Sequence, residues 1–200
     1  MLNATGVILA GGKSVRMGVN KALLKIGKLQ MVQHIANELL GVFPEVIISS
    51  NDQALGLSLG LPVVPDRFDN KVPLCGIHAA LCVSKFECIH VVACDMPFVT
   101  GKLAQMMLGE TTGYDAAVPR HGMRLEPLFA VYRKSCLQAV ERCLLEGNNK
   151  TDSFYKAVNV NYVDMKKLLG VDEKDIFFNV NTPSDLNKAR KIAGLSSLLQ

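Results

Sequence analysis

The chain has 200 residues, 49% of them hydrophobic and 20% charged, and carries a formal net charge of +4. That length can bury a full core and fits a single domain over residues 1–200; the charge is spread out, with no Lys/Arg block, which argues against nucleic acid as a partner. Met1 to Thr5 carry no charged side chain, and the apolar run Val7 to Ala10 is too short for a signal peptide or a membrane span. The expected setting is cytoplasmic, with no membrane partner.

In chain order, a first strand is predicted at Val7-Ile8-Leu9, then a helix from Gln30 to Leu40 that stops at Gly41. Strands follow at Val46-Ile47-Ile48 and Val63-Val64, then a helix from Ile77 to Val83, a strand from Ile89 to Ala93 and a helix from Lys102 to Leu108. Strands at Ala116-Ala117-Val118 and Leu128 to Tyr132 precede a helix from Ser135 to Leu145 that stops at Gly147. The strand runs are continuously apolar, as strands buried on both faces are, and glycine suits the residue after a helix. The last helix has the clearest start: Thr182 can cap it, Pro183 suits its first position and Asp185 can complete a capping box, giving a helix from Pro183 to about Ala193. Strands alternating with helices predict a three-layer α/β/α fold with a mostly parallel sheet. Ligands of such sheets bind outside the carboxyl ends of the strands. No repeat or low-complexity tract interrupts the pattern, and Gly147 to Lys150 is the one polar cluster suggesting a flexible connection.

Six cysteines (75, 82, 88, 94, 136, 143) form no CxxC pair, and a chain of this size and apolar content needs no staples, so reduced thiols are expected. Cys82, Cys94 and Cys143 lie in segments that read as buried strand or helix, where a thiol acts as a small hydrophobe. The four histidines (34, 78, 90, 121) share no ligand spacing, which argues against a zinc site.

Chemistry concentrates where the first strand runs into Leu9-Ala10-Gly11-Gly12-Lys13-Ser14-Val15-Arg16-Met17-Gly18, with Lys21 behind. Gly11 and Gly12 permit positive φ and let backbone N–H groups approach an anion. Ser14 adds a hydroxyl, Arg16 a planar fork for phosphate oxygens and Lys21 a compact charge. The spacing matches neither the P-loop nor the dinucleotide fingerprint. A glycine-rich turn with solvated basic residues is the plain alternative.

Further candidates stand at strand ends. Asp95, just past the strand ending at Ala93, is placed to hold Mg²⁺ against phosphates, with Pro97 fixing the turn; the alternative is a solvated strand-end carboxylate. Asp66 follows the strand from Leu61 to Val64, where a carboxylate can accept hydrogen bonds from a purine base or serve only as a turn residue. Asn179 and Asn181 alternate with Val180, so both amides would share one side while the valine packs inward; local capping before the last helix is the alternative. Arg124, beside His121-Gly122, offers a cation to a phosphate.

The block Leu-Ala-Gly-Gly-x-Ser-x-Arg-Met-Gly with Lys21 resembles the signature of sugar-nucleotide and cofactor nucleotidyltransferases, and within that group it is most similar to the molybdenum cofactor guanylyltransferases. The resemblance continues through Val63-Val64-Pro65-Asp66, Pro73-Leu74-x-Gly76, Ala93-Cys94-Asp95-Met96-Pro97-Phe98, Glu126-Pro127-Leu128 and Phe178-Asn179-Val180-Asn181-Thr182-Pro183, nearly the whole chain. It implies a nucleotide-diphospho-sugar transferase-like fold and an enzyme using Mg²⁺ bound by Asp95. That enzyme would transfer GMP from GTP to the molybdopterin cofactor, with Arg16, Lys21 and Asp95 catalytic. It further implies nucleotide contacts from Leu9, Ala10, Gly11, Gly12, Ser14 and Lys21, from the Ser49-Ser50-Asn51 segment and from Asp66, and acceptor contacts from Arg124, Asn179 and Asn181. A nucleotide-contacting Asn of the family aligns with Ser49 rather than Asn51, and Val72 stands where relatives carry another glycine. Molybdoenzyme apoproteins or other cofactor-synthesis proteins are the implied partners. The rivals are a cytidylyltransferase or sugar-phosphate nucleotidyltransferase of the same fold, and a non-catalytic GTP-binding adaptor.

Overall fold

The computed structural model describes residues 2–11, 21–169 and 176–196. The chain runs β1 (Ala4–Leu9), β2 (Lys25–Ile26), β3 (Leu29–Gln30), α1 (Met31–Leu40), β4 (Glu45–Ser49), α2 (Ala54–Leu59), β5 (Val63–Val64), α3 (Pro73–Val83), β6 (Cys88–Ala93) and α4 (Gly101–Gly109). It continues through β7 (Ala116–His121), β8 (Arg124–Leu125), β9 (Phe129–Arg133), α5 (Leu137–Leu145), β10 (Val160–Asp164), α6 (Met165–Leu169) and α7 (Pro183–Ser196).

The main sheet has the order β10-β7-β9-β6-β1-β4-β5, with β8 paired on β7. Along that path β9 alone runs against its neighbours, β6 and β7; every other pair is parallel. Two cores cover the two faces. Ile8, Ile48 and Val92 pack with Val32, Ile35 and Leu39 of α1, Leu103 and Met107 of α4 and Met165 of α6. Val7, Ile47 and Val91 pack on the other side with Leu74, Ile77 and Leu81 of α3 and Val140 and Leu144 of α5. The period of two along each strand therefore feeds both layers, which is why β1 is buried throughout and reads as one apolar run. The three-layer, mostly parallel expectation holds.

The chain passes from β1 to β4 and β5 on one side, then returns past β1 to β6 on the other. The crevice at the carboxyl ends of β1 and β6 is thus the point where the winding reverses, the usual ligand position of open α/β sheets. Backbone bonds keep these ends level: Cys94 N donates to Leu9 O at 3.0 Å, and Ala10 N to Ser49 O at 2.9 Å.

The six expected strands and five expected helices are present, with corrected bounds. Pro73-Leu74-Cys75-Gly76, ahead of the expected helix start at Ile77, is the first turn of α3, which proline opens from the Val72 cap. The capping box before α7 is complete: Asp185 N donates to Thr182 Oγ1 at 3.1 Å and Thr182 N to Asp185 Oδ2 at 2.9 Å. That helix runs three residues beyond Ala193. Gly41 ends α1 with φ −67°, an ordinary right-handed value, whereas Gly147 takes φ +73°. The fully buried thiols are Cys75, Cys88 and Cys136, while Cys82, Cys94 and Cys143 are only partly covered; all six are free. Among the described helices, none is long and apolar enough to cross a membrane.

Candidate functional site

Gly12, Ser14 and Arg16 lie outside the described residues. The flanks of their loop are placed. Leu9 and Ala10 are buried at the end of β1, and Gly11 is exposed. A Cβ added at Gly11 would meet no atom of the described residues within 4 Å, and its φ is not positive. The positive φ that glycine permits is therefore not used at Gly11. Among the described residues, nothing fills the space beside it at the carboxyl end of β1.

Lys21 re-enters beside this space as the first residue of a 3₁₀ turn, Lys21–Leu23, anchored by buried Ala22. Its Nζ donates to Asn181 Oδ1 at 2.7 Å and lies 3.7 Å from Asp95 Oδ2. Asp95 occupies the turn after β6, where Met96 N bonds Ala93 O at 3.1 Å. Burial raises its carboxyl above the usual range, opposed first by the Lys21 charge. Val180 N donates to Asp95 O at 2.9 Å, so the segment before α7 is tied to the same turn. Val180 is fully buried among Ile26, Met31, Leu186 and Ala189, as alternation predicted. The two amides part ways: Asn181 joins Lys21, while Asn179 Nδ2 bonds Phe177 O at 3.0 Å in a local turn.

At the ends of β4 and β5, Asn51 and Asp66 hold each other. Asp66 N donates to Asn51 Oδ1 at 2.9 Å, and Asn51 Nδ2 donates to Asp66 Oδ2 at 3.1 Å. Partial burial raises the Asp66 carboxyl, and the Asn51 bond lowers it. Ser49 is 2% exposed beneath α3, where a Cβ at Gly76 would stand 2.7 Å from its Oγ. Gly76 is what lets the helix start approach the end of β4. Val72, the departure from the family pattern, has φ −116°, a conformation any residue adopts.

On the far side of Asp95, β7 and β8 form a hairpin in which His121 pairs with Arg124 across Gly122-Met123, with φ +60° at Gly122. Arg124 Nε lies 2.7 Å from Glu126 Oε1, a pairing sequence reasoning did not single out. The signal was the charge at both ends of Arg124-Leu125-Glu126, which puts both side chains on one face of an extended segment.

A hard cation at this site would have Asp95 as its carboxylate ligand. Asp95 is a desolvated carboxylate with one neighbouring ammonium, and the described residues contain no group of three His, Cys, Asp or Glu able to hold a metal unaided. A cation at Asp95 would take most of its ligands from phosphate and water, as Mg²⁺ does beside triphosphates. A depression of about 340 Å³, lined by Gly113, Tyr114, Asp115, Arg133 and Asn159, lies away from this crevice at the amino ends of β7 and β10. There Asp115 is already bonded by Ser135 Oγ at 2.6 Å and Asn159 N at 2.9 Å.

The model of the "MobA-like NTP transferase domain" matches residues 6–161. The chain is 54% identical over 194 residues, 96% of its length and 95% of the relative's, to the "Probable molybdenum cofactor guanylyltransferase" of Pelotomaculum thermopropionicum. It is 37% identical over 196 residues, 98% and 99% of the two lengths, to the protein of the same name from Carboxydothermus hydrogenoformans. The crystal structure of molybdopterin-guanine dinucleotide biosynthesis protein A from Archaeoglobus fulgidus superimposes with a TM-score of 0.83 at 29% identity, covering 96% of this chain and 99% of that one.

Proposed function

Because the chain belongs to the family of MobA-like NTP transferases, we propose that it is a molybdenum cofactor guanylyltransferase. It transfers GMP from GTP to the terminal phosphate of molybdenum-bearing molybdopterin, yielding molybdopterin guanine dinucleotide and pyrophosphate. The observation that carries this reading is the meeting of Lys21, Asp95 and Asn181 beside the open Gly11 position, at the sheet's switch point.

In this reading the triphosphate lies over Gly11, and Lys21 and Arg16 are the cations that neutralise its oxygens. Asn181 fixes where Lys21 points, and Asp66, braced by Asn51, accepts from the N–H edge of guanine. An acceptor phosphate oxygen attacks the α-phosphorus, the bond to the β-phosphate oxygen breaks, and the electron pair leaves with pyrophosphate. No protein nucleophile is needed, since positioning and charge neutralisation carry such transfers. Asp95 would hold Mg²⁺, which when bound would supply charge neutralisation for the triphosphate and the leaving group. The acceptor enters from the β7–β8 side, near Arg124 and Asn179. Cofactor-synthesis proteins and molybdoenzyme apoproteins are the proposed partners, and the cytoplasm is the proposed compartment, in keeping with six free thiols.

The test is to incubate the purified chain with molybdopterin carrying molybdenum, Mg²⁺ and labelled GTP, CTP or ATP, and to follow pyrophosphate release. GTP should be used at least tenfold better than CTP. Equal or better use of CTP would replace the guanylyl assignment by the cytidylyl one, and GTP binding without pyrophosphate release would leave an adaptor.

A further inference from the structure

The segment between β8 and β9 contains a buried acid that the proposed chemistry does not yet use. Glu126 has a side chain only 7% exposed, yet it carries a carboxylate, and its bonded partner is the otherwise solvent-facing Arg124, 69% exposed. The backbone under Glu126 is held at several points. Its N donates to Pro119 O at 2.9 Å, and its carbonyl accepts from Phe129 N at 3.1 Å. The next carbonyl, that of Pro127, accepts from Tyr132 Oη at 2.8 Å, and that of Leu128 accepts from Ala93 N at 2.8 Å. Ala93 is the last residue of β6, two positions before Asp95, so Glu126 stands on a rigid backbone beside the metal-side turn. Burial raises its carboxyl, the Arg124 and His121 charges lower it, and Asp95 raises it, which places the two acids within electrostatic reach.

A long, exposed arginine loses several rotors when it is fixed, and a fixed guanidinium binds an oxyanion with less entropy left to lose. Glu126 supplies the fixing bond through Nε, which leaves the outer edge, Nη1 and Nη2, for an incoming anion.

We propose that Glu126 is a positioning residue that presents the Arg124 guanidinium to the phosphate of the acceptor, so that the β7–β8 hairpin forms the acceptor subsite. This rests on the transferase reading above, in which a phosphorylated acceptor enters on that side. It assigns acceptor affinity, rather than nucleotide affinity, to the Arg124–Glu126 pair.

The test measures equilibrium binding of molybdopterin in the absence of GTP, together with the KM for GTP and for acceptor, in Glu126→Gln, Arg124→Gln and the double variant. Molybdopterin binding should weaken roughly tenfold in Glu126→Gln and at least as much in Arg124→Gln, and the double variant should be no weaker than Arg124→Gln alone. The acceptor KM should rise in step, with the GTP KM within about twofold of wild type. Arg124→Gln, at an exposed position, serves where Glu126→Gln fails to fold. Unchanged molybdopterin binding in either single variant, multiplicative losses in the double variant, or an equal rise in the GTP KM overturns the proposal. A wild-type chain that binds molybdopterin but transfers no nucleotide refutes the transferase reading instead, and leaves the subsite standing on its binding data.

Discussion

Lys21 and Asn181, separated by 160 positions in the chain, are joined by a 2.7 Å hydrogen bond from the lysine Nζ to the amide Oδ1. The lysine is also 3.7 Å from Asp95 Oδ2, so one ammonium is shared between a neutral acceptor and an acid. The amide orients the charge without cancelling it, whereas a second carboxylate there would repel a triphosphate. Asn181→Ala should therefore lower kcat/KM for GTP by roughly tenfold, about the worth of one charge-assisted hydrogen bond. Steady-state kinetics beside a melting curve checks this, and a loss explained by unfolding would remove the role.

Asp95→Asn keeps the size and the turn but removes the charge that would hold Mg²⁺. Turnover should fall by more than about a hundredfold while GTP binding stays within a few-fold, because metal assistance is greatest at the charge-rich transition state. Single-turnover rates and calorimetric GTP binding separate the two quantities. Unchanged turnover would take Asp95 out of the mechanism.

Two glycines make opposite predictions. At Gly11 a Cβ meets nothing among the described residues, so Gly11→Val should move Tm by less than about 2 °C and yet raise the KM for GTP at least tenfold. At Gly76 a Cβ would press on Ser49 Oγ at 2.7 Å and Leu9 Cδ2 at 3.1 Å, so Gly76→Ala should cost about 1–3 kcal/mol of stability. Thermal melts with and without GTP distinguish the pair; a Gly11→Val enzyme with normal GTP kinetics would show that the nucleotide does not lie there.

The strands at the sheet centre were legible because burial on both faces writes an unbroken apolar run, as in β1 and β6. The edge was not. β10 buries only Val163 of its five residues, so its run is broken by Asn161 and Asp164. α2 escaped because Leu55, Leu57 and Leu59 alternate with period two, although the segment is helical and ends at Gly60 with φ +65°. In the site, single residues at strand ends were readable, but their pairings were not. Lys21 with Asn181, Asn51 with Asp66 and Arg124 with Glu126 depend on tertiary approach or side-chain direction that spacing does not carry.

Asn51 and Asp66 yield a prediction about base choice. With both Asn51 polar atoms engaged by Asp66, the amide acts by holding the carboxylate in place. Asn51→Ala should reduce discrimination between GTP and CTP by several-fold, about 1 kcal/mol, while changing kcat at saturating GTP little. Competition between the two nucleotides measures the ratio directly. An unaltered ratio would show that Asp66 needs no brace.

His90 predicts an acid-sensitive core. It lies in the middle of β6, fully buried, with ring centroids 5.7 Å from Phe43 and 4.6 Å from Phe129, and neither ring nitrogen has a hydrogen-bond partner among the described residues. Burial lowers its pKa from 6.5 to about 3, so the folded chain keeps it neutral while the unfolded chain protonates it below 6.5. The unfolded state then binds more protons, and stability present above pH 6.5 is lost as the pH falls toward about 3. By about pH 5 the loss from this one group should reach roughly 2 kcal/mol. His78 is shifted in the same direction, chiefly by burial, and the carboxylates add their own slopes, but these remain in a His90→Leu variant. Urea unfolding of wild type and His90→Leu at pH 7 and about pH 5 isolates the histidine: the variant's advantage should grow by roughly 2 kcal/mol at the lower pH. An advantage independent of pH would mean that the imidazole finds a proton partner in the folded core.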